Sequence, residues 1–463
     1  MRFRLTIFLG VLAWSGEALA HASERGHVLL LPTGHYLVGG ALAVLASFLV
    51  LLLIPPAALD AIAAKRLKLF RVSDAPRIFV SLISFGVLIA LVAAGLFGSR
   101  DPLSNPLPLV IWTLLWVGLS LVQSVFGNLW HWINPWSGPV RIVGLLTGKE
   151  APFALAPRLA YWPAVALFFA FAWFELVYPA PSDPAILAQA VACYWIATFI
   201  LMLAFGHEQW SARGEFLSVF FGMLSRFSIF ERDEKGLLSL GWPGAKLWKA
   251  EALPLSGIAF LLLTLASVSF DGLSKTFFWL GGIGVNPLEY PGRSALACIN
   301  TTGLLLAPLV LLSAYFLAVF IGEWLVSNRS TFRSSAGLLV WSIVPIAFAY
   351  HFSHYLTSLA VDGQYALKAL SDPFALGWNL FGTSNMNVEA AIMMGHGPAW
   401  VVWNLQAAAI VGGHVLAVLV AHGLAFRLHP KNSDAVKSQI PLTVLMILYT
   451  VFGLWLLSTP TAG

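Results

Sequence analysis

Three histidines lie in two long apolar stretches of the C-terminal half of the chain. His351 and His354 share one stretch, and His414 lies in the next. Residues three apart on a helix sit on one face, about one turn from each other. Ionisable side chains are costly inside a bilayer, so their presence there indicates a function. We therefore predict that the two helices carrying these histidines form the active or binding centre.

A metal ion is the first chemistry that this set suggests. Three neutral imidazoles are a known ligand set for Zn or Cu, often with a further position open to water or substrate. We predict a divalent transition metal, Zn or Cu, bound by His351, His354 and His414. Two alternatives remain open from the spacing alone. Histidine pairs in apolar helices also ligate haem, and they also occur as hydrogen-bonded packing residues.

The N-terminus adds a fourth histidine. Arg2 and Arg4 precede an apolar stretch that ends in a small-x-small sequence at residues 18–20, which is typical of a cleavable secretory signal. Cleavage would leave His21 at the mature N-terminus, where an amine and an imidazole together suit Cu(II). The alternative is that His21 is a solvated terminal residue. We thus predict a signal peptide over residues 1–20 and a single transmembrane helical domain over residues 21–463.

Two carboxylates are predicted to lie near the same depth as the histidines. Glu175 is near the end of the fourth apolar stretch, and Asp271 is near the end of the sixth. A buried carboxylate needs a partner or becomes neutral. We predict that Glu175 and Asp271 either orient a metal ligand or act as general bases. The alternative for each is a helix cap at the membrane surface.

The composition gives the class of protein that must position these residues. The chain has 463 residues, of which 59% are hydrophobic and 10% are charged, against about 25% charged in soluble proteins. It therefore predicts a polytopic membrane protein that lies in a lipid bilayer. The net charge of +5 comes from bases in short loops, which report topology. We expect no nucleic-acid partner.

Ten apolar stretches approach the length of about 20 residues that spans a bilayer, so we predict an all-α bundle of about ten transmembrane helices. Basic residues concentrate in alternate loops, which are the loops that follow the odd-numbered stretches if the mature N-terminus is outside. Both mature termini are then predicted to be extracytoplasmic, in a bacterial inner membrane. The stretches lie at residues 36–58, 77–97, 107–126, 159–179, 185–206, 253–271, 295–326, 336–361, 399–425 and 440–458.

Four segments of the chain carry a resemblance to a known family. They are His21-Ala-Ser-Glu-Arg-Gly-His-Val-Leu-Leu-Leu-Pro-Thr-Gly34, Phe270-Asp-Gly-Leu-Ser-Lys-Thr-Phe-Phe-Trp279, Asn286-Pro-Leu-Glu-Tyr-Pro-Gly-Arg293 and Ala349-Tyr-His-Phe-Ser-His-Tyr-Leu-Thr-Ser358. They resemble bacterial integral membrane proteins described as fenitrothion hydrolases, and the resemblance runs nearly end to end. It implies hydrolysis of organophosphorus triesters. It supplies no catalytic motif, so the predicted site residues rest on depth and chemistry alone.

Two functional hypotheses follow. In the first, a metal-dependent hydrolase activates water on an ion held by the three histidines, and a small lipophilic substrate reaches the site from the bilayer or the outer face. Glu175 or Asp271 then takes the proton. In the second, a metal-handling or transport protein relays an ion inward along histidines that include His422 and His429. A haem-bearing redox protein is a third possibility.

Overall fold

The computed structural model describes residues 33–233, 235–327, 330–389 and 396–462. The predicted signal peptide and His21 lie outside the described residues. In chain order the helices and strands are α1 (Thr33–Leu51), α2 (Pro56–Ala64), β1 (Leu67–Arg71), α3 (Arg77–Phe97), α4 (Pro106–Phe126), α5 (Trp130–Ile133), α6 (Ser137–Thr147), α7 (Trp162–Leu176), α8 (Pro184–Phe205), α9 (His207–Arg213), α10 (Phe216–Leu224), β2 (Phe230–Arg232), β3 (Leu237–Leu240), α11 (Leu255–Ser274), α12 (Phe277–Gly282), α13 (Arg293–Trp324), α14 (Phe332–Leu339), α15 (Ile343–Ser371), α16 (His396–Leu428) and α17 (Asn432–Ser458).

The predicted all-α, polytopic membrane fold is confirmed. Nine helices of the described residues are long and apolar enough to cross a membrane. The predicted fourth stretch, residues 159–179, instead forms the helix α7 of only 15 residues. At 1.5 Å per residue this helix is about 22 Å long, which is shorter than the hydrocarbon core of about 30 Å. The count of full-length spans in the described chain is therefore nine, with α7 as a shorter apolar helix.

Proline sets the end of the first span. The sequence predicted one stretch over residues 36–58, but α1 ends at Leu51 and α2 begins at Pro56. Proline has no backbone N–H and its ring clashes with the preceding turn, so it suits only the first turn of a helix. The chain therefore starts a separate short helix at Pro56 and leaves the direction of α1.

Two helices form the centre of the bundle. In α11, and in the continuous segment from α14 to α15, 83% of the most apolar 18-residue stretch is buried inside the protein, whereas in α1 the buried share is 22%. The apolar side chains of α11 are buried on nearly all sides, which is the pattern of a helix enclosed by other helices. The histidines of α15 therefore face protein more than lipid.

A small sheet and several short helices cover one end of the bundle. Strand β3 lies between β1 and β2 and pairs antiparallel with both. Arg66, just before β1, makes a salt bridge with Glu231 of β2. The short helices α5 and α6 lie in the loop between α4 and α7, and α9 and α10 lie in the loop between α8 and α11, and these loops carry many of the basic residues. We refer to this face as the basic end of the molecule.

Candidate active site

The predicted carboxylates and one predicted histidine meet at the end of the bundle opposite the basic end. The helices α7 and α11 both begin after basic loops and run away from them, and Glu175 and Asp271 lie in their last turns. Helix α15 passes beside both and brings His354 and Tyr355 to the same level. The sequence had predicted Glu175, Asp271 and His354 for the site, but not Tyr355.

Asp271 is the centre of this group. Its Oδ2 lies 2.6 Å from Nε2 of His354, and its Oδ1 lies 2.8 Å from Nζ of Lys275. The Asp271 side chain is 7% exposed, while those of His354 and Lys275 are 26% and 44% exposed. A buried carboxylate must be paired to stay charged, and here two donors pair it, one on α15 and one just after the end of α11.

A second carboxylate lies beside the first. The hydroxyl of Tyr355 donates to Oε1 of Glu175 over 3.2 Å, and the guanidinium of Arg293 donates to the Glu175 backbone carbonyl over 2.7 Å. The Tyr355 ring also packs against His354, with centroids 4.6 Å apart. Glu175, Asp271, Lys275, His354 and Tyr355 thus form one connected group, which we call the Asp271 cluster.

The hydrogen bond to Asp271 fixes the chemistry of His354. In the neutral tautomer whose Nε2 donates to the carboxylate, Nδ1 keeps its lone pair. Nδ1 makes no hydrogen bond with any residue that the structure describes, and the side chain is partly exposed. A histidine oriented by a carboxylate, with its second nitrogen free, has the arrangement of a general base.

Lys275 places a positive charge beside this base. It follows Asp271 by four residues, just after the end of α11, and the negative charge of Asp271 raises the pKa of its ammonium group above the ordinary value. The ammonium is therefore protonated at any pH near neutrality. Its partial exposure leaves it able to contact an anion or a developing negative charge.

The structure does not bring the three predicted metal ligands together. Nε2 of His351 lies 3.0 Å from the carbonyl oxygen of Trp116 on α4, whereas His354 turns toward α11. A helix has 3.6 residues per turn, so side chains three apart point about 60° away from each other. That angle is enough for His351 and His354 to meet different neighbouring helices.

His414 is separate from both. Its Nδ1 bonds the carbonyl oxygen of Ile410 on its own helix over 2.8 Å, and its ring lies near Tyr350 and Tyr449, at centroid distances of 6.2 and 6.4 Å. Within the described part of the chain, no three His, Cys, Asp or Glu side chains form a group that could hold a metal ion. The expected three-histidine metal site is therefore not formed by these side chains, and His351 fits the packing alternative.

An aromatic cavity lies next to α7 and α4. It has a volume of about 310 Å³ and is lined almost entirely by apolar side chains, among them Trp112, Trp116, Phe171 and Phe174. Phe174 directly precedes Glu175 on α7, and Trp116 also packs edge-on against His351 at 5.1 Å. The cavity has the size and apolar lining of a site for a small lipophilic molecule, and no residue of the Asp271 cluster is among its described lining residues.

Sequence reasoning missed Lys275, Tyr355 and Arg293. The spacing of Asp271 and Lys275 was a usable signal, because oppositely charged residues four apart on a helix are neighbours. The contacts of Tyr355 and Arg293 join residues 180 and 118 positions apart. No local pattern identifies such contacts, since they depend on which helices pack together.

Comparison of the chain with protein-family models, with curated proteins and with solved structures finds no match.

Proposed function

We propose that this protein is a membrane-bound hydrolase of lipophilic organophosphorus triesters, with His354 as its general base. The observation that carries the proposal is the 2.6 Å contact between His354 and the buried carboxylate of Asp271, which leaves Nδ1 available. The resemblance to fenitrothion hydrolases points to the same reaction. The predicted metal ligands do not converge, so the reaction is assigned to side chains of the cluster.

The proposed step moves one proton and exchanges one bond. Nδ1 of His354 takes a proton from water while the water oxygen bonds to phosphorus and the bond from phosphorus to the aryl oxygen breaks. The aryl oxide leaves with the electron pair and is protonated by solvent or by the imidazolium. Asp271 stabilises that imidazolium and holds its orientation. Lys275 offsets negative charge on the phosphoryl oxygen.

Substrate access also supports the proposal. The aromatic cavity beside α7 suits an aryl leaving group, because flat rings pack well against Trp and Phe side chains. Its lining comes from α3, α4, α5, α7, α8, α10 and the chain between α5 and α6, and we propose that the lipophilic substrate reaches it from the lipid. The basic loops lie at the other end of the bundle, and by the positive-inside rule we place the Asp271 cluster on the extracytoplasmic side of a bacterial inner membrane.

The test is turnover of a nitrophenyl dialkyl phosphate by the purified protein in lipid nanodiscs. The wild type is expected to release nitrophenolate, and His354→Gln is expected to lower the rate by about 100-fold or more, the usual contribution of a general base. His35→Gln serves as the control, since His35 lies on α1 in a different part of the molecule. Wild-type protein without turnover, or full turnover by His354→Gln, would contradict the proposal.

A second function, transfer of protons or metal ions through the bundle, is supported by two other histidines. On α16, Nε2 of His414 and Nε2 of His422 are both buried and lack a hydrogen-bond partner in the described structure. They are eight residues apart, about 12 Å along the helix. Unpartnered buried nitrogens are costly, and such a pair suits two stations of a relay.

A crossed experiment separates the two functions. If the protein is a hydrolase, His354→Gln loses turnover and His414→Gln keeps it. If it is a relay, His414→Gln loses proton or copper uptake into proteoliposomes, and His354→Gln keeps it. Thermal unfolding of both variants checks that each is folded before the activities are compared.

A further inference from the structure

The basic end contains a large polar cavity that the proposed hydrolase does not use. Its volume is about 860 Å³, and it lies between the start of α3, the short helices α5 and α9, and the chain before α11. Its inner wall carries hydrogen-bond donors, including Arg77, His131, His207 and Ser211. These residues come from three separate segments of the chain, α3, α5 and α9, so the cavity is a product of the tertiary fold.

Two buried polar atoms in this wall have no partner in the described structure. They are Nε of Arg77 and Oγ of Ser211. An unpaired buried donor costs free energy, and native proteins rarely leave one without a water, ion or ligand. Both atoms line the same cavity, so one bound group with several acceptor oxygens could satisfy both.

The charges of the wall favour an anion in the interior. At the exposed rim, Arg226 and Lys249 are balanced by Glu208 and Glu251. Arg77 is the partly buried charged group of the wall, and it forms no salt bridge within the described chain. Asp74 and Glu208 lie near enough to favour its charged form, but neither is paired directly with its guanidinium.

The pKa values of the two histidines in the wall, His131 and His207, are both lowered. Burial is the main cause that lowers the pKa of His207, to about 4, and the positive charges of Arg77 and His131 lower it further. Burial and Arg77 also lower the pKa of His131, while Asp74, whose Oδ1 is 3.7 Å from Nε2 of His131, acts in the opposite direction. His207 is therefore neutral near pH 7, and its Nε2 is 2.8 Å from Oγ of Ser137. Burial disfavours charge of either sign, and the smaller contribution of Arg77 opposes a second positive charge in this cavity.

We propose that this cavity binds the phosphate group of an anionic ligand, either a phospholipid headgroup or a soluble phosphate ester. The Arg77 guanidinium and the Ser211 hydroxyl donate to its oxygens, and Arg226 at the rim is held in place by Trp341, with its guanidinium carbon 4.9 Å from the ring centroid. Arginine offers several donors in a geometry that matches phosphate. Basic pockets between transmembrane helices at the cytoplasmic surface are suited to anionic headgroups.

The first arm of the test uses inorganic phosphate. Purified, delipidated protein in a neutral maltoside detergent is heated with phosphate or with chloride at equal ionic strength, and binding is measured from the rise in the unfolding midpoint. The second arm uses nanodiscs of phosphatidylcholine with or without phosphatidylglycerol, and native mass spectrometry counts the retained lipids. Stabilisation by phosphate identifies a soluble ligand, and selective retention of phosphatidylglycerol identifies a headgroup.

Three variants decide between a built site and a general surface charge. Arg77→Gln and Ser211→Ala are each expected to weaken binding about tenfold, which corresponds to about 1.4 kcal/mol. Arg158→Gln is the control, because Arg158 is an exposed arginine outside the cavity. Ser211→Ala also removes an unpaired hydroxyl, so its unliganded form should be as stable as the wild type. The proposal is overturned if neither arm detects binding, if Ser211→Ala binds normally, or if Arg158→Gln weakens binding as much as Arg77→Gln.

Discussion

Replacing Asp271 with Asn removes one negative charge and changes little else in shape. In the wild type, the two carboxylate oxygens accept from His354 and Lys275 at 2.6 and 2.8 Å. The amide has only one acceptor oxygen, so one of these donors must lose its partner. Its NH2 group would then face another donor. We therefore expect both a loss of stability and a loss of orientation at His354.

The exposure of the partners sets the size of the stability effect. Lys275 is 44% exposed, so water replaces most of its lost interaction, and exposed ion pairs contribute about 0–1 kcal/mol. His354 is only 26% exposed, and a hydrogen bond to a charged group contributes about 1.5–3 kcal/mol. We expect Asp271→Asn to destabilise the protein by about 2 kcal/mol in total, with most of the cost from the bond to His354.

Thermal unfolding in detergent and turnover of a nitrophenyl triester measure the two effects. The turnover rate is expected to fall by about 100-fold or more, because the base loses its fixed tautomer and the charge that stabilises its protonated form. Asp362→Asn is the matched control, since Asp362 lies two turns beyond His354 on α15 and forms no salt bridge within the described chain. If Asp271→Asn matches the control in both stability and rate, the carboxylate has neither role.

Two further predictions concern stability. Gly322→Ala is expected to destabilise the protein by about 1–3 kcal/mol through overpacking, because an added Cβ would lie 2.1 Å from the Ser438 carbonyl oxygen. Gly363→Ala is the control, since a Cβ there meets nothing within 4 Å, and it should be neutral or slightly stabilising in the same thermal scan. Equal effects of the two substitutions would contradict this packing. In the folded state, burial mainly, and Arg77 also, lower the pKa of His207 to about 4. As the pH falls from 6.5 to 4, His207 is therefore protonated in the unfolded chain before it is protonated in the folded protein, and the stability of the fold decreases over that range. His207→Gln should flatten this part of the pH profile of the unfolding midpoint, and an unchanged profile would show that His207 is not responsible.

The spans could be predicted from the sequence because their signal is local. Apolar runs of about 20 residues have few other structural solutions, and nine of the ten predicted runs became long apolar helices in the described chain. Two predicted runs form shorter helices than expected. Pro55 and Pro56 end the first helix early, and the fourth run forms α7, which has only 15 residues.

The site could be predicted only in part because helix rotation is not local. The sequence identified Asp271, Glu175 and His354 as buried polar residues, and the structure places them in one cluster. It also led us to join His354 with His351 and His414 around a metal ion. Depth along a helix constrains such a group, but the direction of each side chain depends on the neighbouring helices, and those directions differ for His351 and His414.

Hydrolysis in water enriched in ¹⁸O tests the central claim most directly. If a histidine of the Asp271 cluster activates water for attack on phosphorus, wild-type protein in nanodiscs produces a dialkyl phosphate that carries one ¹⁸O atom and a nitrophenol that carries none. With His354→Gln the same products should form, at a rate reduced by about 100-fold or more. Label in the nitrophenol, or equal labelled product from the wild type and His354→Gln, would contradict the claim.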